Sequence, residues 1–348
     1  MKQVIIFIFL VQPIIASEFW TLQKYFKHNP NQKELMQKFT QVVQDEPKPL
    51  KTATDPVQIA ILYPGGQVAD YWQRSLKSFQ KRMDGLQIPY EIEAVFVDEN
   101  DVQQLEKKML QLLQSQSDYF VFTLDIAEHK RLIAQLIDRK KPKVILQNIT
   151  TPLKEWGSKQ PFLYVGFDHI QGASMLSEYF AKKYDRANYL MLYYNPGYVS
   201  QMRGDSFIKQ SKNFTLDGSY YTYADKVSAK DIVLHYPLQD IDFIYSCSTD
   251  VTVGATKALQ ELGLKQDIAI NGWGGGAKEL DMVQSGVIDV TVMRINDDNG
   301  VAMAEAIKYD LLGKEVPQVF VGELVLVTAK TSDEEIEQLR SRAFRYSQ

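Results

Sequence analysis

The stretch that decides the fold is VQIAILYPGGQVADYW, residues 57–72. Residues 57–63 form a short, almost wholly apolar run, which predicts a strand that is buried on both faces. A Pro-Gly-Gly turn follows, and the apolar spacing of residues 71–83 then predicts an amphipathic helix. A buried strand that leads through a glycine turn into a helix is typical of a parallel sheet covered by helices.

The same alternation extends outward from this unit. It predicts further strands at 90–97, 119–124 and 144–147, with helices at 102–113 and 128–137. It then restarts, with strands at 162–166, 189–194, 220–223, 243–247, 268–271 and 288–294. The helices of this second half are predicted at 171–183, at 253–262 and around 279–284, and a further helix includes residue 203. The chain is therefore predicted to fold as two consecutive α/β units.

The N-terminal residues are predicted to be a secretory signal peptide. Lys2 precedes an apolar run over residues 4–15, and the small residues Ala16 and Ser17 follow. The run is too short to cross a bilayer, which takes about 20 residues. We therefore expect cleavage near Ser17 and a periplasmic location, which also suits a chain whose single cysteine, Cys247, cannot form an internal disulfide. Cys247 follows an apolar strand and is expected to be buried and inert.

Composition narrows the possible functions. The chain has 348 residues, of which 45% are hydrophobic and 24% charged, and its net charge is −4. These values fit a globular protein of about two domains and offer no broad basic surface for nucleic acid. The four histidines are scattered without metal-ligand spacing, and the sequence contains no Gly-x-Ser-x-Gly elbow and no dinucleotide-binding fingerprint. We expect a binding protein without a metal or cofactor rather than an enzyme.

Polar and aromatic residues follow many of the predicted strands. Open parallel sheets bind ligands beyond the carboxyl ends of their strands, so two facing sheets would line one cleft. Each candidate also has a structural alternative: Trp72 could be a core residue, Asn148 a turn cap, and the hydroxyls after residue 247 a helix cap. The candidates are Gln67 and Trp72 in the first turn, Asn148, the 248–250 segment (STD), and Trp273 within a glycine-rich loop.

Two arginines are the most informative candidates. Arg294 ends an apolar strand, and Arg203 is near the start of a helix. A guanidinium fork pairs well with vicinal oxygens or with an anion. The alternative for Arg294 is a structural ion pair with Asp297 or Asp298.

Taken together, these strand-end residues resemble the periplasmic autoinducer-2 receptors of the LuxP type, a family within the ribose/galactose-type (type I) periplasmic binding proteins. The resemblance covers residues 18–348. It is most specific at 145–152 (ILQNITTP), 161–169 (PFLYVGFDH), 247–251 (CSTDV), 270–276 (INGWGGG), 302–308 (AMAEAIK) and 342–347 (RAFRYS). It implies two doubly wound, Rossmann-like lobes joined by a three-strand hinge, with crossings near Asp168, Ile295 and Gly322.

The resemblance also implies a ligand and a partner. The family binds autoinducer-2 as a furanosyl borate diester, with borate as part of the ligand, and signals to a LuxQ-like membrane sensor histidine kinase. The implied ligand contacts are Gln67, Trp72, Asn148, Arg203, Thr249, Asp250, Trp273 and Arg294. The family has a serine where this chain has Ala69, which implies the loss of one hydroxyl contact.

The implied domain layout is a signal peptide at 1–17, an extension and linker at 18–50, a first lobe of 51–167 with 296–322, and a second lobe of 168–295 with 323–348. The segment 297–312 would return to the first lobe as a helix. The alternative function is a pentose- or hexose-binding protein of an uptake system, which has the same fold and a similar cleft. A sugar-modifying enzyme and a transcriptional repressor are weaker alternatives, the latter because no basic helix-turn-helix segment is present.

Overall fold

The computed structural model describes residues 18–51, 54–98, 101–114, 116–139, 141–222 and 226–348. The predicted signal peptide, residues 1–17, lies outside them. Within these ranges the chain forms two six-stranded sheets, each covered by helices on both faces. None of the described helices combines the length and the apolar character that a bilayer crossing requires.

The first sheet has the strand order β11-β5-β4-β3-β1-β2. Its strands are β1 (Val57–Gly65), β2 (Tyr90–Asp98), β3 (Tyr119–Thr123), β4 (Lys143–Gln147), β5 (Leu163–Phe167) and β11 (Val319–Gly322). All its strand pairs are parallel. Parallel strands are buried on both faces, which explains why residues 57–63 show an apolar run rather than strict alternation.

The second sheet has the strand order β12-β10-β9-β8-β6-β7. Its strands are β6 (Ala187–Tyr193), β7 (Phe214–Tyr221), β8 (Phe243–Ser246), β9 (Ala269–Gly274), β10 (Val290–Arg294) and β12 (Leu324–Thr328). The pair β10–β12 is antiparallel and the others are parallel. The two-lobed parallel α/β fold predicted from the sequence is confirmed.

The helices cover both sheets. In the first half of the chain they are α1 (Leu22–His28), α2 (Pro30–Gln44), α3 (Tyr71–Gly85), α4 (Val102–Gln114), α5 (Ala127–Ile137) and α6 (His169–Lys183). In the second half they are α7 (Tyr198–Gln210), α8 (Lys226–His235), α9 (Thr249–Glu261), α10 (Ala277–Gln284), α11 (Asp297–Leu311) and α12 (Asp333–Ala343). A short 3₁₀ turn spans Lys154–Trp156.

The chain passes between the two sheets after β5, after β10 and between β11 and β12. Helix α11 packs against α3, β5 and β11, so it lies on the first lobe. Helix α2 of the N-terminal extension also packs on α11 and β11, with Phe39 and Val43 fully buried. The extension is thus part of the first lobe's core.

Two sequence predictions need correction. The strand predicted at 220–223 begins earlier, at Phe214, because β7 is an edge strand whose exposed polar residues mask its pattern.

The second correction concerns the C-terminus, because the residues after Phe344 were assigned to the second lobe but contact the first lobe. Helix α12 packs on the second lobe, but Asp297 of the first lobe accepts hydrogen bonds from the backbone N–H groups of Tyr346 and Ser347 at 2.7 and 2.9 Å. A fourth crossing therefore follows Phe344, whose side chain is buried in the second lobe's core.

Candidate ligand-binding site

The carboxyl ends of the strands of both sheets face one cavity between the lobes. The cavity, its open mouth included, encloses about 940 Å³ of space. All the residues that the sequence predicted as ligand contacts line this cavity: Gln67, Trp72, Asn148, Arg203, Thr249, Asp250, Trp273 and Arg294. The structure thus brings the predicted set together, while contact with a ligand remains a prediction.

Arg203 enters the cavity from helix α7 and is only 6% exposed. Its Nη1 donates to the Cys247 carbonyl at 2.8 Å and its Nε donates to His169 Nδ1 at 3.3 Å. The guanidinium carbon lies 4.3 Å from the centre of the Trp273 ring. These contacts fix the plane of the fork, although a carbonyl and a neutral imidazole leave its charge uncompensated.

Arg294 ends strand β10 and is also 6% exposed. Its Nε donates to the Gly274 carbonyl at 3.4 Å, and its guanidinium carbon lies 4.1 Å above the Tyr71 ring. The alternative of an ion pair with Asp297 or Asp298 does not hold. Asp297 binds the C-terminal residues, and Asp298 pairs with Arg345 at 3.1 Å.

The two arginines place positive charge in a buried cavity. Burial and the charge of Arg294 lower the pKa of Arg203 to about 10, and burial lowers the pKa of Arg294. Across the described part of the chain, neither side chain forms an ion pair with a carboxylate. Both guanidinium groups remain protonated at neutral pH, so the cavity favours a ligand that offers negative charge or electron-rich oxygens.

The tryptophans belong both to the cavity wall and to the core. Trp273 is 1% exposed, its Nε1 donates to the Tyr245 hydroxyl at 3.2 Å, and its ring fills the space beside Gly172, where a Cβ would lie 2.3 Å from the indole. Trp72 donates from Nε1 to Gln67 Oε1 at 3.2 Å, and its ring lies 4.9 Å from the Tyr63 ring, tilted by 36°. The expectation that they line the cleft rather than the cores is therefore only half right.

Asn148 supplies a hydrogen-bond acceptor from the first lobe. Its backbone has φ 66, a conformation that asparagine tolerates better than most residues. Its side-chain Oδ1 is buried and has no hydrogen-bond partner among the described residues. A buried acceptor without a partner costs free energy, so this amide is ready to accept from a ligand hydroxyl.

The 248–250 segment divides its roles. Ser248 is the cap of helix α9, since its Oγ accepts from the Val251 N–H at 3.3 Å. Thr249 Oγ1 donates to the Trp273 carbonyl at 3.3 Å, and Asp250 Oδ1 accepts from the Val68 N–H of the opposite lobe at 2.8 Å. The capping alternative therefore applies to Ser248, while Asp250 joins the two lobes beside the cavity.

The glycine-rich loop after β9 serves the protein's own packing. Glu279, fully buried, accepts from the N–H groups of Trp273 and Gly275 at 3.0 and 2.8 Å. Gly275 has φ +59, and a Cβ there would lie 2.3 Å from Met293 Cα. The glycines of this loop therefore allow close packing against Trp273 and the backbone of β10.

Sequence analysis missed two residues that organise the site. His169 lies between the lobes: its Nε2 bonds the Asn148 carbonyl at 2.9 Å while its Nδ1 accepts from Arg203. Burial, followed by the charge of Arg203, holds the pKa of His169 well below its usual 6.5, so the ring is neutral. Asp125 lines the cavity after β3. Both follow strand ends, so the same rule could have found them.

The comparisons with known proteins place this geometry in a family. The model of the periplasmic binding protein domain family matches residues 59–315. The chain belongs to this family of extracytoplasmic proteins, which bind ligands and are generally not enzymes. No group of three or more His, Cys, Asp or Glu side chains in the described ranges is placed to hold a metal ion.

Solved structures share the fold over most of the chain. A periplasmic solute-binding protein of an ABC transporter from Actinobacillus succinogenes, with bound D-allose, is 18% identical, with a TM-score of 0.69 over 82% of this chain and 100% of its own. A solute-binding protein from Bacillus halodurans with bound myo-inositol is 16% identical, with a TM-score of 0.71 over 84% and 100%. The fructose-binding periplasmic domain of a hybrid two-component system is 16% identical, with a TM-score of 0.69 over 82% and 94%.

Proposed function

We propose that this protein is a periplasmic receptor that binds autoinducer-2 as its furanosyl borate diester in the interlobe cavity. The observation that carries the proposal is the pair of buried guanidinium groups, Arg203 and Arg294, which lie in one cavity and have no carboxylate partner among the described residues. A borate diester is an anion with vicinal oxygens, so it would offset both charges and accept from both forks.

The remaining lining complements a small hydroxylated ring. The unpaired Oδ1 of Asn148 would accept from a ring hydroxyl, and the carboxylate of Asp250 offers a second acceptor. The indoles of Trp72 and Trp273 form apolar walls for a ring face. Ligand binding would favour lobe closure, because a ligand that touches both lobes interacts differently with the open and closed forms.

The second candidate is a pentose- or hexose-binding protein of a sugar uptake system. It is favoured by the neighbours that carry D-allose and myo-inositol, which are neutral polyols held in the same fold. Guanidinium groups also donate to sugar hydroxyls, so the fold and the polar lining suit this function as well. The two candidates differ in whether the ligand carries a negative charge.

The distinguishing experiment uses protein purified from a signal-producing host. Mass spectrometry of the small molecules released on denaturation, with boron analysis, should find a boron-containing five-membered-ring compound in near-equal amount to the protein. Calorimetry with synthetic autoinducer-2 precursor should then give tight binding with borate and much weaker binding in boron-depleted buffer. Boron-free release of a pentose or hexose, with no effect of borate, would establish the uptake function instead. Chemical turnover of the bound compound would contradict both.

We further propose that closure is relayed to a LuxQ-like membrane sensor histidine kinase after export of the chain by the segment 1–17. The proposal is supported by the neighbour that is the fructose-binding periplasmic domain of a hybrid two-component system. Co-purification with the periplasmic part of such a kinase tests the partner, and N-terminal sequencing of periplasmic protein should begin at or next to Glu18. Recovery of unprocessed protein from the cytoplasm would refute export.

A further inference from the structure

Asp125 of the first lobe makes several hydrogen bonds to the second lobe. Its Oδ2 accepts from Asn195 Nδ2 at 3.0 Å and its Oδ1 accepts from the Val199 N–H at 3.2 Å. Its backbone carbonyl accepts from the Tyr198 N–H at 2.7 Å. All these donors lie at or just before the start of helix α7, the helix that carries Arg203.

Helix α7 has no capping side chain of its own. Its N-cap residue is Gly197, which makes no side-chain hydrogen bond to the first turn. The first N–H groups of a helix need acceptors, and a carboxylate there also interacts favourably with the helix dipole. Asp125 provides this cap from the opposite lobe, so the cap forms only when the lobes are together.

Gly197 is the counterpart of Asp125 in this contact. A Cβ on Gly197 would lie 2.3 Å from Asp125 Oδ2 and 2.4 Å from its Cγ, which is closer than packed atoms allow. The backbone of Gly197, at φ −81 and ψ 161, is nevertheless one that alanine adopts without strain. Glycine is therefore needed at residue 197 because Asp125 approaches it closely, and not because of its backbone conformation.

We propose that Asp125 is a positioning residue that stabilises the closed form by capping helix α7 across the cleft and so holds Arg203 over the ligand. The cap lowers the free energy of the closed form relative to the open form by an amount that does not depend on which ligand is bound. It rests on the proposed function only in that the ligand is bound by closure of the lobes, whether it is a borate diester or a neutral sugar. Removal of the cap should open the protein and lower its affinity for any cleft ligand.

Two single variants and their combination test the pair. Loss of an N-cap side chain typically changes an equilibrium constant roughly 3- to 30-fold. Asp125→Ala should therefore weaken ligand binding by about the same factor, because it disfavours the closed form. Gly197→Ala should do the same, because the new methyl group displaces the carboxylate. Since Gly197 does not line the cavity, its effect cannot come from a lost ligand contact. The double variant should be no weaker than Asp125→Ala alone, a non-additivity expected of two residues in contact.

The matched control is Asp138→Ala, which removes an aspartate at the other end of α5 whose carboxylate pairs with the exposed Lys159 at 2.6 Å. It should leave affinity unchanged. The probes are autoinducer-2 precursor with borate, and D-ribose as the neutral alternative. Additive losses in the double variant, or an unaffected Gly197→Ala, would overturn the proposal and leave Asp125 as a plain ligand contact.

A ligand-free measurement separates this proposal from the proposed function. The buried Cys247 should not react with labels, so nitroxides can be attached at Lys107→Cys on the first lobe and Lys257→Cys on the second, both exposed positions. Dipolar spectroscopy should show a larger share of long interlobe distances in Asp125→Ala and Gly197→Ala than in the parent, even if no autoinducer-2 binds to any of them. Identical distance distributions in all proteins would refute the cap, whatever the ligand is.

Discussion

The two lobes are built alike but supply different chemistry to the cavity. Their first five strands follow the same spatial order, β2-β1-β3-β4-β5 in one lobe and β7-β6-β8-β9-β10 in the other. The first lobe contributes amides and aromatic rings, among them Gln67, Trp72 and Asn148. The second lobe contributes both cations, Arg203 and Arg294, with Trp273 between Arg203 and Tyr245. A shared fold therefore fixes where ligand groups come from but leaves their chemistry to individual side chains.

The two lobes therefore differ in the charge of the side chains that they bury at the cavity. The arginines are held by carbonyls, rings and a neutral histidine, all neutral groups that orient a guanidinium without cancelling it. The side-chain oxygen of Asn148, by contrast, has no hydrogen-bond partner within the described part of the chain. We infer that the two guanidinium groups of the second lobe recognise the ligand's negative or electron-rich centre, whereas Asn148 of the first lobe recognises a ligand hydroxyl. The predictions below test this difference, beginning with the largest effect.

The largest expected effect is on the second lobe's stability. Trp273 is 1% exposed and packs beside Gly172, so Trp273→Ala should lower the free energy of unfolding by about 3–5 kcal/mol, the usual cost of removing a buried aromatic ring. Urea denaturation of the ligand-free protein measures it, with Trp273→Phe as the milder control. A loss below about 1 kcal/mol would show that the ring is only a cleft wall.

The second prediction compares the effect on binding of removing a charged arginine with that of removing a neutral amide. Arg203→Ala and Arg294→Ala should each weaken ligand binding roughly 10- to 150-fold, because a hydrogen bond to a charged group contributes about 1.5–3 kcal/mol. Asn148→Ala in the first lobe should weaken binding only roughly 2- to 12-fold, since it removes a neutral hydrogen bond of about 0.5–1.5 kcal/mol. Calorimetry with autoinducer-2 precursor, with and without borate, compares them. Arg→Lys should restore little, because lysine lacks the planar fork. A larger loss for Asn148→Ala than for either arginine would favour a neutral sugar.

The third effect tests the histidine that joins the lobes. His169→Phe removes the acceptor for Arg203 Nε and should weaken binding about fivefold, equivalent to about 1 kcal/mol, while His169→Gln should restore part of it. The pH dependence distinguishes this role from simple packing. The unfolded state takes up a proton below about pH 6.5, but the folded state does not, because the folded pKa is depressed. Parent stability should therefore fall as pH drops below 6.5, and His169→Gln should lessen that slope.

The smallest effect concerns the first lobe's turn. Ala69 lines the cavity where the resembling family has serine. Ala69→Ser should therefore tighten binding of the borate diester only about twofold, equivalent to about 0.5 kcal/mol for one partly exposed hydrogen bond. Titration of both proteins with the same ligand preparation measures the ratio. Weaker binding by the serine variant would show that this chain's ligand presents an apolar edge to residue 69.

Sequence patterns predicted the fold because its buried parallel strands are short apolar runs, as at residues 57–63. They also located the cavity lining, since strand ends in two facing sheets converge. They could not show that Asp125 caps α7, because that contact joins residues of different lobes and carries no local pattern. Helix α8 (Lys226–His235) was likewise missed, and the edge strand β7 was placed too late. The reason for the glycines after Trp273 required the position of Glu279, which sequence spacing alone does not give.

The anchoring of the C-terminal residues to Asp297 has a mechanical consequence. Residues of α2 and the segment after Phe344 both bind the first lobe, and Arg82 joins them by donating to the Val42 carbonyl at 3.0 Å and to the Tyr346 hydroxyl at 2.9 Å. A pulling force applied between these two segments would thus act across the first lobe and would not act across the second lobe. In a single-molecule stretching experiment, the first rupture should release the segment after Phe344, with the second lobe still folded.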